Sequence, residues 1–136
     1  MSLAKEKQDY REILLEIGQY INDYRVKRKL SIQQMSVRVG VNPSYLREVE
    51  RGEKMPDDYF IRNLSEQFGL DENYIFGLLG KAPLIAREEL DQHTLLQDTL
   101  KEIGMSNFSE QKKQELYQMF YNLTQKALVN QINIQN

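Results

Sequence analysis

The chain has 136 residues, 40% hydrophobic and 28% charged, which suits one domain with an appendage and a well-solvated surface. It contains no cysteine, so disulfide frameworks, zinc–thiolate sites and thiol nucleophiles are excluded. No apolar run approaches the ~20 residues of a membrane span. No signal-peptide pattern opens the chain, and the expected location is cytoplasmic. The net charge of −2 conceals an uneven distribution. Between Arg25 and Lys54 there are eight cations and three anions, a local +5 that leaves −7 for the remainder. Such a patch on an acidic body marks localised phosphate contact.

The pattern predicts only helices. A first helix is expected from about Asp9 to Lys29, with Ile13, Leu14, Ile17, Ile21 and Tyr24 spaced for one buried stripe. Ser31 is a good N-cap for a second helix over residues 32–39, in which Met35 and Val39 share a face. Gly40 stops it, because glycine takes the left-handed backbone of a C-cap. Asn42 and Pro43 restart the helical run as a cap and a first-turn proline, giving a third helix over residues 43–51. Leu46 and Val49 point inward there, which leaves Ser44, Tyr45, Arg47, Glu48 and Arg51 to face outward or sideways. Two short helices, a small-residue turn and a polar outer face are the parts of a helix-turn-helix. A fourth helix follows Pro56, with Tyr59, Ile61, Leu64 and Phe68 on its apolar face. Asp71 caps a fifth that contains Tyr74, Ile75, Leu78 and Leu79.

These positions resemble the lambda-repressor/Cro type of helix-turn-helix, the Xre family. The matching residues are Arg25, Leu30-Ser31, Met35-Ser36, Gly40-Val41, Glu50-Arg51-Gly52 and Pro56, continued by Leu64, Phe68-Gly69-Leu70 and Ile75. They cover about residues 14–80. The resemblance implies an all-α fold: a five-helix lambda-repressor-like DNA-binding domain over residues 9–80. It implies double-stranded DNA as partner, with base-reading residues at Asn42, Pro43, Ser44, Arg47 and Glu48. Arg47 suits a bidentate contact to guanine, with a phosphate clamp as its other reading. Gln33, Tyr45, Arg51 and Lys54 suit phosphate contacts. The family often places glutamine at the start of the second helix, against a phosphate, where this chain has Ile32. By the same resemblance Arg25 and Glu50 pair inside the domain and are structural.

Gly80 to Pro83 reads as a boundary, which gives a linker at residues 81–84 and a C-terminal helical region over 85–133. Arg87–Leu90 and Leu95–Ile103 suggest one or two short helices, and Ser109 caps a long one from about Glu110 to Asn130. Leu116, Tyr117, Phe120, Tyr121, Leu123 and Leu128 make a wide apolar stripe on it. Seven acidic residues against five basic argue against DNA as its partner. A segment this small completes its core best with a second copy. The expectation is therefore a small oligomerisation segment and a homodimer, in a layout that resembles SinR-like repressors.

The chain is expected to be a sequence-specific transcriptional regulator, a dimeric repressor on an inverted-repeat operator. The alternatives are an interaction module, or antitoxin-like partner, whose C-terminal helices bind a protein antagonist, and a regulator sensing a small molecule among Tyr117, Phe120 and Tyr121. An enzyme is not expected. His93 is the single histidine, no phosphate loop or nucleophile motif occurs, and no cofactor or metal is implied. The pairs Asp57-Asp58, Asp71-Glu72 and Glu88-Glu89 lie near helix starts, where negative charge complements the helix dipole.

Overall fold

The computed structural model describes residues 3–135, and among them every regular element is a helix. In chain order these are α1 (Leu3–Lys27), α2 (Ile32–Val39), α3 (Pro43–Glu50), α4 (Asp58–Phe68), α5 (Glu72–Leu78), α6 (Leu84–Gln92), α7 (Thr94–Met105) and α8 (Glu110–Gln135). The chain divides into two units, one through Glu89 and one from Leu90 onward.

The first unit has a continuous core. The stripe of α1 reaches it through Ile17 and Ile21, α2 through Met35 and Val39, and α3 through Leu46 and Val49. From the other side come Phe60, Ile61 and Leu64 of α4, Leu70, and Ile75 and Phe76 of α5. Capping places these helices. Ser31 accepts the Gln34 backbone N–H, while the Gln34 side chain accepts that of Ser31, a complete capping box. Gly40 ends α2 at φ 72°, a left-handed conformation that glycine adopts without strain. The Asp57 and Asp71 carboxylates accept the first N–H groups of α4 and α5.

Two expectations need correction. Tyr59, placed on the apolar face of α4, is 62% exposed, and the adjacent Phe60 takes the core position. The start of α4 at Asp58 sets that face one residue later than the tyrosine suggested. Residues 81–84 are not a free linker. Leu84 is buried in the core, Lys81 pairs with Asp58 at 3.3 Å, and Arg87 grips the same carboxylate at 2.7 Å. Arg62 pairs with Glu88. These contacts hold the first part of α6 to α4, so the boundary falls after Glu89.

The second unit is built differently. Ser109 accepts the Lys112 N–H to start α8, as expected, and α8 runs five residues past Asn130. Leu96, Leu100 and Ile103 of α7 line an apolar groove with Leu116, Tyr117 and Phe120 of α8. None of the described residues of this unit is buried. At 1.5 Å per residue, the 26 residues of α8 span about 39 Å and the 12 of α7 about 18 Å. Half of α8 is therefore longer than anything α7 can cover.

Candidate nucleic-acid interface

The helix-turn-helix is α2, the turn at Gly40–Val41, and α3. Asn42 caps α3: its Oδ1 accepts the Ser44 backbone N–H at 3.0 Å and the Ser44 hydroxyl at 2.9 Å. Those bonds commit the Asn42 oxygen and leave its amide N–H groups as donors. They also make the exposed Ser44 oxygen an acceptor towards anything that docks on α3.

With Leu46 and Val49 inward, the 100° turn per residue fixes the other directions. Ser44 and Arg51 lie opposite the core. Tyr45 and Glu48 lie on one flank of α3, Pro43 and Arg47 on the other. Glu48 does not orient Arg47 or Arg51. Its carboxylate pairs with Lys54 at 3.7 Å, and both side chains remain about half exposed. The Lys54 ammonium lies 5.2 Å from the centre of the Tyr45 ring. That ring packs edge-on to Phe60, and its hydroxyl accepts the Asp57 backbone N–H at 2.7 Å. Burial pushes the Tyr45 phenol up from its ordinary value, so it stays neutral with its O–H free to donate. Gln33 is exposed in the first turn of α2, and Ile32 beside it is partly buried against the core.

Arg25 and Glu50 form the expected pair. Two parallel bonds of 2.9 Å join guanidinium to carboxylate, and a third N–H of Arg25 reaches the Leu30 carbonyl at 2.8 Å. The glutamate raises the Arg25 pKa further, by its hydrogen bond first and against the effect of burial. Sequence reading missed Asn22, which donates to Glu50 at 2.6 Å. Its position three residues before Arg25, on the same helix face, was the available signal. The bonds span α1, the α1–α2 turn and α3, and so fix the angle at which α3 is held. Gly18 lets α1 approach: a Cβ there would overlap the carbonyl oxygens of Val49 and Glu50.

Residues 18–80 match a family model described as a helix-turn-helix domain. The capped α2 and α3 and the turn at Gly40 lie inside that match and have the arrangement of a helix-turn-helix. A solved structure described as a complex of the SinR and SinI proteins is similar at 23% identity and a TM-score of 0.40, covering 82% of this chain and 98% of that one. No curated protein is significantly similar in sequence. Among the described residues, no helix is long and apolar enough to cross a membrane.

Proposed function

We propose that the chain is a sequence-specific transcriptional repressor that binds an inverted-repeat operator as a homodimer. Each copy sets α3 in the major groove, with two copies about 34 Å apart on one face of the duplex. Asn42, Pro43, Ser44 and Glu48 meet base edges, and Gln33, Tyr45, Arg51 and Lys54 meet phosphates. Affinity comes mainly from the phosphate contacts, and sequence choice from the few base contacts. Repression follows from occlusion of a promoter.

The observation that carries the dimer is the bareness of the second unit. Phe120, Tyr121 and Leu123 of α8 are each about 60% exposed, and Leu128, Val129 and Ile132 continue the apolar surface beyond the reach of α7. Single exposed apolar residues are ordinary, but this many along one helix point to an interaction surface. From Leu116 to Gln135 the only charged residue is Lys126, so two such helices meet without charge repulsion. A second copy supplies a matching apolar face through an isologous interface.

The test is selection of bound duplexes from a random pool at physiological salt, with light scattering on the same preparation. An enriched inverted repeat and a dimer mass support the proposal. A single enriched half-site with a monomer mass removes the dimer and turns attention to a protein antagonist on α8. No enrichment removes the DNA reading.

A further inference from the structure

A second cationic feature lies on the flank of α3 away from Lys54. Arg47, in the last turn of α3, and Arg51, its C-cap residue, face a concavity of about 430 Å³ shared with Gln19, Asn22 and Arg25 of α1. Ile32 contributes the apolar part of its wall, and Glu50 is its one carboxylate. That carboxylate is fully engaged, since Arg25 and Asn22 place three donors on its two oxygens. Its charge is balanced by Arg25. Gln19 is held in place by a hydrogen bond to Asp23 at 2.8 Å. Neither Arg47 nor Arg51 has a carboxylate partner among the described residues. The hollow therefore presents two unpaired guanidiniums over a neutralised floor.

We propose that this hollow is an anion site that takes a phosphodiester of the DNA backbone, and that Arg47 anchors phosphate instead of reading guanine. The inference rests on the reading that α3 enters the major groove. A helix in that groove has one sugar–phosphate strand on each side. Lys54 and the Tyr45 hydroxyl serve the strand on one flank, and the hollow serves the other. Guanidinium is suited to the task because its planar fork matches two oxygens of one phosphate. Cations at the end of α3 also complement the helix dipole, but that role requires no hollow shared with α1.

The experiment measures binding of the full chain to its selected duplex and to an unrelated duplex of equal length, across a salt series. The variants are Arg47→Ala, Arg47→Lys and Arg51→Ala; both positions are exposed, and a melting curve for each verifies folding. Arg47→Ala and Arg51→Ala should weaken both duplexes several-fold and equally, and each should lower the slope of log affinity against log salt by about one. Arg47→Lys should restore most of the slope, because a point charge still binds phosphate. Loss of preference for the selected duplex in Arg47→Ala, with the slope intact and no rescue by lysine, would overturn the proposal and make Arg47 a base reader. Inorganic phosphate, followed at the arginine Nε–H resonances, separates the two sources of phosphate. Weak binding that the selected duplex displaces fits a backbone site. Tight binding with unchanged duplex affinity in Arg47→Ala assigns the hollow to a free anion and overturns the proposal. A wild-type chain that prefers no duplex defeats the repressor reading itself, which is a distinct result.

Discussion

The two units use similar helices and reach opposite outcomes. Five helices of the first and the start of α6 converge on one core, in which Ile17, Ile21, Met35, Leu46, Ile61, Leu64 and Ile75 are fully enclosed. In the second, two helices meet along one groove, and its described residues all remain at least partly exposed. The difference does not lie in apolar content, since α8 carries Leu116, Phe120, Leu123, Leu128 and Ile132. It lies in closure. A core forms where faces meet from several directions, whereas two helices of unequal length leave one side of each bare. The first unit encloses a core of its own, and the second leaves apolar residues bare.

The largest effect should come from cutting the two apart. Removal of residues from Leu90 onward should leave a cooperatively melting domain, because its core and its α4–α6 ion pairs lie before that point. Affinity for an inverted repeat should fall by about 10²–10⁴, the usual loss when linked binding becomes single-site. Titration of the truncated chain against one and two half-sites measures this, and undiminished affinity would mean that α8 does not join the copies.

Arg25→Ala tests the first unit from inside. It strands the Glu50 carboxylate, whose side chain is only 6% exposed, and should cost roughly 3–5 kcal/mol. Chemical denaturation reports this directly, and unchanged stability would sink the buried-pair assignment. Gly18→Ala should cost about 1–3 kcal/mol, because its Cβ meets backbone carbonyls of α3 that no rotamer change can move. A melting temperature equal to wild type would mean that α1 and α3 separate freely.

The smallest effect is a pH dependence confined to the first unit. Arg87, by its hydrogen bond first, and then Lys81 hold the Asp58 carboxyl below its usual value against the opposing effect of burial. A lowered folded-state pKa means stability that is fully present above the unfolded value of about 4. It is lost as pH falls through the folded value. Asp58→Asn, which cannot titrate, should melt lower than wild type at neutral pH, with the gap closing in acid. A gap constant across that range would detach the α4–α6 contact from this carboxylate.

Much of the first unit was legible in the sequence because its signals are local. Caps at Ser31, Asn42, Asp57 and Asp71 act on N–H groups two or three residues away, and a helical stripe repeats every three to four positions. The error at Tyr59 has the same origin. Adjacent aromatic residues satisfy apolar periodicity equally well, and only the start of α4 decides which one turns inward. The misplaced linker came from Gly80 and Pro83, which mark a break in helix and say nothing of Leu84 in the core beyond it.

The candidate interface divides along the same line. The order of the helices, the outward face of α3 and the pairing of Arg25 with Glu50 followed from the sequence and its family resemblance. Which groups share space across helices did not. The engagement of Glu48 by Lys54, the addition of Asn22 to the buried pair, and the hollow that joins Arg47 and Arg51 to α1 depend on the angle between α1 and α3. That angle is set by the close approach at Gly18 and by packing around Ile17, Ile21 and Val49. Sequence by itself determined the helices and their inward faces, because capping and periodicity are short-range. Tertiary structure alone decided which charges are neutralised and which remain to meet a ligand, because those distances exist only once the helices have packed.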